Sequence, residues 1–461
     1  ARLSDADKSI ETRVSALFKG NQYVAFVYQR YTDIRLVGTP PESIGKFGGD
    51  SDNWEWPRHT GDFAVFRVYA APDGSPAAFA ASNIPLKPKW FLPVSIKPLK
   101  EGEFTMTWGY PGSTNRYESS FGVQLATDVN NPALVKLRDV RLKNMLEEMK
   151  KDEAVKLQLA NTFASIANYW KFYDGESKQL LKYKVADQKK KAEEKFKTWA
   201  KDKPEYSSLF ANWEKAYKEW QPYALGRQYL YEGIYGVQLL NFASQLIPLE
   251  NALVKTSAGQ ADLRKELANA KTLRERFIQG FNRPSDQRNF AEILRMYYED
   301  VPRDQHPVGY FGAIKNNVGA LDNAETWKKL AASVFENSIL LNDDKWEEFL
   351  ANPDGLKLQN DPAYAIASKF TQNFNGKYLP IYQRFVAANN DYGRIFLKGI
   401  MEMDPVAAKK MYPDATFTMR VSYGALKSYK PADGVTYDYV TTSKGILEKY
   451  KPGDYEFDLP A

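Results

Sequence analysis

Phe47-Gly-Gly-Asp-Ser-Asp-Asn-Trp-Glu-Trp-Pro-Arg-His-Thr-Gly-Asp-Phe63 is the stretch that decides how this chain reads. It crowds three glycines, four carboxylates, two tryptophans, an Asn, an Arg and a His into seventeen residues. No core segment has this composition; it is a polar, turn-forming loop. The run that follows, Phe63-Ala-Val-Phe-Arg-Val-Tyr69, is β-rich, so the loop is expected to deliver Asp62 to the mouth of a strand. A carboxylate placed there can orient another side chain through a hydrogen bond.

Outward from this loop, residues 1–113 are mostly β-like. The exception is an amphipathic, helix-like stretch from Asp5 to Phe18. Strands are expected over Gln22–Tyr31, Asp62–Tyr69, Phe91–Ile96 and Phe104–Trp108, separated by turn signals such as Ala71-Pro-Asp-Gly-Ser-Pro76. From about Asn131 the period changes. Leu134, Leu137, Val140, Leu142, Met145 and Met149 recur at helical spacing, and further helices are expected over Ala154–Tyr173, Glu176–Asp202, Ala261–Phe281, Asp286–Asp300, Ala324–Leu341, Ala363–Phe374 and Leu379–Met403. Ser285 or Asp286 is the expected cap of the helix that ends at Asp300. After Pro413 β character returns in Thr416–Tyr423 and Thr436–Thr442. Strands therefore flank a helical block, the pattern of a helical domain inserted into a β domain. The divisions are 1–113, 114–412 and 413–461, and the cleft between the two domains is the expected substrate site.

The bulk properties narrow the function. The chain has 461 residues, 63 basic and 57 acidic, for a net charge of +6, a balance that does not suggest a nucleic-acid binder. There is no cysteine, which rules out disulfides and thiolate chemistry. No apolar run is long enough to span a bilayer, and no signal peptide is evident. The chain starts at Ala1, not Met, and reads as a mature or trimmed piece. Asp50 and Asp52 imitate the start of a calcium loop, but the Gly and distal Glu of an EF-hand are not at the required offsets, so no metal site and no cofactor are expected. His59 and His306 are the only histidines. His59 is expected to hydrogen-bond its own loop, and His306 to be an exposed loop residue.

The loop resembles that of the bacterial dipeptidyl-peptidase 7 and 11 family. So do Pro41–Gly49, Trp108-Gly-Tyr-Pro-Gly-Ser-Thr-Asn-Arg-Tyr117, Ala167-Asn-Tyr-Trp-Lys171 and Tyr412–Gly424, which extends the likeness over essentially the whole chain. The resemblance implies an α+β fold, with chymotrypsin-like β-barrel segments interrupted by a large all-α inserted domain. It also implies a serine exopeptidase that removes dipeptides from the free N-terminus of oligopeptides. In the family's Ser-His-Asp triad, the Asp corresponds to Asp62. The His belongs to a motif before the loop and the Ser to a Gly-Asn-Ser-Gly-Ser-Pro type motif after the returning strands. This sequence has neither motif and no Gly-x-Ser-Gly anywhere. The barrels are thus expected to be incomplete and this chain alone inactive. Asn53, Trp54 and Asn168 match the family positions that hold the substrate's N-terminus. The resemblance further implies oligopeptide partners, a homodimer, and a place in the periplasm or at the outer membrane of a Gram-negative bacterium. The alternative is a non-catalytic peptide-binding protein that uses the same interdomain cleft.

Overall fold

A computed structural model describes residues 8–254 and 260–460. The chain is mostly helical, with small sheets, and divides into two compact units: residues 1–118 with 393–461, and residues 119–392.

The first unit carries the strands. β1 (Ile10–Leu17) pairs antiparallel with β2 (Gln22–Gln29), from Ile10 opposite Gln29 to Leu17 opposite Gln22. β3 (Asp33–Gly38), β4 (Val65–Ala70) and β5 (Ile84–Pro85) form a three-stranded antiparallel sheet in that order. β6 (Phe104–Gly109) pairs with β7 (Arg420–Ala425), and β8 (Tyr429–Ala432) with β9 (Val435–Tyr437). The β6–β7 ladder closes the helical insertion, because it joins chain before the insertion to chain after it. Beyond the ladder, Asp414 Oδ1 accepts from Thr114 Oγ1 and from the Arg116 N–H, each at 2.7 Å. Arg420 turns back to donate to the carbonyls of Pro413 and Asp414, both at 2.9 Å. Charge-assisted bonds of this kind are stronger than neutral ones, and they hold the chain leaving β6 beside the chain that enters β7.

The second unit is an all-helical body. The helices Asn131–Met149 and Glu153–Lys182 form an antiparallel pair in which Leu142, Met145 and Met149 of one pack on Leu159, Phe163, Ile166 and Ala167 of the other. The reversal is capped by Asp152, whose carboxylate accepts the Ala154 N–H at 2.7 Å. Trp213, Trp327, Trp346, Tyr229 and Tyr364 are fully buried in this unit. The Tyr364 hydroxyl reaches the Glu250 carboxylate at 2.6 Å, so this phenol is bonded inside the fold, not held at a rim.

Several expectations are corrected. The described part of the Asp5–Phe18 stretch is strand, not helix; its first residues lie outside the described ones. The β-branched residues Ile10, Thr12 and Val14 recur with period two, and the neighbouring strand offers a full ladder, which a lone helix there would lack. Phe91–Ile96 joins no strand among the described residues, and Ile96 is 97% exposed. β7 begins at Arg420 and not at Thr416: Thr416 makes only an isolated bridge to Ser113, and the chain bends at Phe417, with φ 54°, and Thr418 before the strand starts. The strand expected over Thr436–Thr442 ends at Tyr437. Asn282, not Ser285 or Asp286, caps the helix Arg283–Asp300, accepting the Ser285 N–H at 3.1 Å. Glu153–Lys182 is one helix across Gly175, where a Cβ would meet nothing within 4 Å. The division between units falls at 118/119 and 392/393. The last turns of the helix Leu379–Met403 belong to the β unit, where the Arg394 carbonyl accepts from Asn21 Nδ2 at 2.8 Å.

Candidate functional site: the loop 47–63

Phe47 anchors the start of the loop. It is fully buried, with its ring edge-on to Phe457 at 5.7 Å. Gly48 and Gly49 follow at φ 82° and 40°, angles that other residues resist. Both are also sterically required: a Cβ on Gly48 would stand 2.4 Å from Asp52 Oδ2, and one on Gly49 2.6 Å from Glu456 Oε1. The returning end is held by Thr60, whose hydroxyl donates to the Phe47 carbonyl at 3.0 Å, and by the Gly61 N–H on the Ile44 carbonyl at 2.9 Å. The loop thus closes on its own base.

The C-terminal segment grips the loop from outside. Glu456 Oε1 accepts the N–H groups of Asp50 at 2.7 Å and Ser51 at 3.3 Å, and the Glu456 carbonyl accepts that of Gly48 at 2.8 Å. Lys449 donates to Asp52 Oδ2 at 2.7 Å and to the Pro57 carbonyl at 3.1 Å. Thr441 donates to the Arg58 carbonyl at 2.8 Å. The peptide bond between Trp56 and Pro57 is cis.

Between these grips stands the tip. Trp54 is 60% exposed and has φ 61°, the left-handed region that costs a non-glycine residue roughly 1–2 kcal/mol. Asn53 is half-buried, and Arg58 donates toward its Oδ1 at 3.5 Å. An amide oxygen carries two lone pairs and is the kind of group that accepts from a cation. Trp54 offers a π-face of the kind that attracts an ammonium.

Asp62 lies exposed at the end of the loop. It precedes β4 by three residues instead of standing at the strand's mouth as expected. Among the described residues nothing donates to its carboxylate. His59 does not pair with it, and neither does His59 bond its own loop as expected: Nδ1 is buried and unpartnered among the described residues, while Nε2 lies so close to Gly445 that a Cβ there would be 1.9 Å away. His306 is also not an exposed loop residue. Its Nε2 lies 2.8 Å from the Val301 carbonyl, its ring packs on Tyr297, Tyr298 and Phe311, and burial lowers its pKa.

Asn168 belongs to the other unit. It stands half-buried on the helix Glu153–Lys182, directly after Ile166 and Ala167, whose burial sets the rotation of that helix face. The fold therefore brings Asn53, Trp54 and Asp62 together on one loop, with Asn168 in the helical unit. Sequence reasoning missed Thr441, Gly445, Lys449 and Glu456, which lie roughly 400 positions from the loop they hold and carry no local motif. Among the described residues no group of three or more His, Asp or Glu could hold a metal ion, and no helix is long and apolar enough to cross a membrane.

The family model described as Peptidase S46 matches residues 1–461. An Asp/Glu-specific dipeptidyl-peptidase of Flavobacterium psychrophilum is 38% identical over 457 residues, covering 98% of this chain and 62% of the relative. Dipeptidyl-peptidase 7 of Capnocytophaga gingivalis is 38% identical over 466 residues, covering 97% of this chain and 61% of the relative. The crystal structure of Porphyromonas endodontalis DPP11 in complex with the dipeptide Arg-Glu superposes with a TM-score of 0.87 at 27% identity, covering 100% of this chain and 65% of that one. The chain thus spans a little under two thirds of the length of these relatives. With a family model matching from end to end and a shared fold, the chain belongs to the peptidase S46 family.

Proposed function

We propose that the protein acts as a dipeptidyl-peptidase, releasing dipeptides from the free N-terminus of oligopeptides. The end-to-end match to the peptidase S46 family carries this reading. An Asp/Glu-specific dipeptidyl-peptidase and a dipeptidyl-peptidase 7 are equally similar to the chain, at 38% identity.

The finer chemistry in this reading is of serine type. A serine hydroxyl attacks the carbonyl of the second residue while a histidine takes its proton. The amine of the shortened peptide leaves with that proton, and water then releases the dipeptide from the acyl-enzyme. Asp62, exposed and without a donor among the described residues, is the carboxylate that holds the histidine in the right tautomer. The His and Ser motifs are not among these 461 residues. We assign them to further chain of a chymotrypsin-like double barrel to which the small sheets belong, and expect the 461 residues alone to be inactive. Asn53, Trp54 and Asn168 receive the substrate's ammonium group. Location in the periplasm or at the outer membrane of a Gram-negative bacterium, and assembly as a homodimer, belong to the same proposal.

The test is release of a chromophore from dipeptidyl substrates by the full-length gene product, with Asp62→Asn beside it. Asp62→Asn should fold normally and lose kcat by a factor on the order of 10⁴. A loss below about tenfold removes Asp62 from the reaction. Dipeptide binding without release selects the alternative of a non-catalytic peptide-binding protein.

A further inference from the structure

We propose that Glu456 and Lys449 are positioning residues for recognition of the substrate's amino end, acting through the Asn53–Trp54 tip. This rests on the peptidase reading above and adds to it two residues with no assigned role.

The two side chains hold the tip from opposite ends. Before it, Glu456 takes the Asp50 and Ser51 N–H groups on one carboxylate oxygen, and its backbone carbonyl takes the Gly48 N–H. After it, Lys449 bonds the Pro57 carbonyl at 3.1 Å, and from there it reaches back to the largely buried Asp52 carboxylate at 2.7 Å. Residues 53–56 therefore project between two fixed points. The left-handed backbone at Trp54 is unfavourable for a side chain of that size and persists only where its surroundings impose it.

The grip is itself preorganised. Asp454 Oδ1 accepts the N–H groups of Glu456 at 2.9 Å and Phe457 at 3.1 Å, and the Phe457 ring seats on the buried Phe47. Lys449 sits at the end of the helix Ser443–Lys449, whose Gly445 leaves room for His59 of the same loop. A recognition group must be held to a fraction of an ångström to count residues from a terminus, and rigid support is what supplies that. Within the tip the Asn53 N–H donates to the Asp50 carbonyl at 3.3 Å and the Glu55 N–H to the Asp52 carbonyl at 3.1 Å. The tip is thus folded on Asp50 and Asp52, the two residues that Glu456 and Lys449 hold, and the geometry assigns its placement to that grip.

The experiment uses the full-length protein with Glu456→Ala, Glu456→Gln, Lys449→Met and Lys449→Arg. Free-amino and N-acetylated dipeptidyl substrates are compared, and amide exchange is followed over residues 48–58. Glu456→Ala and Lys449→Met should each raise KM for the free-amino substrate about tenfold, the worth of a lost charge-assisted bond, with kcat within about twofold. Discrimination against the acetylated substrate should shrink by a similar factor, and exchange at 50–57 should speed up. Glu456→Gln and Lys449→Arg, which keep an acceptor and a donor, should recover most of each loss. Faster exchange with unchanged KM and discrimination overturns the proposal, because the grip would then be structural only. So does unchanged exchange in both disruptive variants. If Glu456→Ala does not fold, Lys449→Met and its Arg rescue decide alone. A wild-type protein that releases no dipeptide defeats the peptidase reading; calorimetric binding of a free dipeptide to the same variants then tests the grip, and equal affinity in all of them rejects it.

Discussion

Asp286→Asn tests the electrostatics of the helical unit. Asp286 is 1% exposed, and its carboxylate accepts the N–H groups of Gln238 at 2.7 Å and Leu239 at 3.0 Å, at the start of the helix Gln238–Gln245. Burial raises its pKa from 3.8 to about 6; the two backbone bonds and the Arg141 charge oppose the shift and offset part of it. A folded-state pKa above the unfolded value means that folding favours the protonated acid. The contribution is therefore complete below about pH 4 and is lost as pH rises through about 6. From 3.8 to about 6, the full span corresponds to ~3 kcal/mol, of which ~2 kcal/mol falls between pH 4 and 8. Asparagine keeps one acceptor oxygen and cannot ionise, so the variant should lie about 1 kcal/mol below the protonated wild type, at a level that does not change with pH. Urea unfolding followed by circular dichroism at pH 4, 6 and 8 reads the difference. Wild type should be the more stable at pH 4, and its advantage should shrink by ~2 kcal/mol by pH 8, where the variant equals or exceeds it. A difference constant to within about 0.5 kcal/mol across that range refutes the reasoning.

Other outcomes follow from the loop. Asn53→Ala or Asn168→Ala in the full-length protein should each weaken the preference for a free over an acetylated N-terminus by roughly 1.5–3 kcal/mol, the worth of one bond to an ammonium; equal preference in variant and wild type would show that these amides hold structure instead. Gly445→Ala places a methyl 1.9 Å from His59 Nε2 and should destabilise the β unit by about 1–3 kcal/mol, read by thermal unfolding. Adding His59→Ala should recover much of that loss, whereas additive losses would show that the two residues do not meet in solution.

Much was legible in the sequence, and the reason is locality. Helical periodicity needs only a turn or two of chain to show, so Leu134 to Met149 declared a helix, and Leu379–Met403 matched the structure to the residue. The crowding of Gly, Asp, Asn and Trp at 47–63 likewise announced a shaped loop, because those residue types have few uses elsewhere. The family resemblance, carried by short motifs spread along the chain, was readable for the same reason. What the tertiary structure decided lies at long sequence separation. Whether Ile10–Leu17 becomes strand or helix depends on the ladder offered by Gln22–Gln29, and Phe91–Ile96, with the same β-prone composition, finds no such partner among the described residues. That Lys449 and Glu456 hold a loop some 400 residues earlier has no local signature, since a lysine and a glutamate near the end of a chain look like any solvated pair. Composition and period determined which segments are regular and which loop is specially shaped. Only the fold could decide what holds that loop in place, because a hydrogen bond depends on distance in space and leaves no trace in sequence spacing.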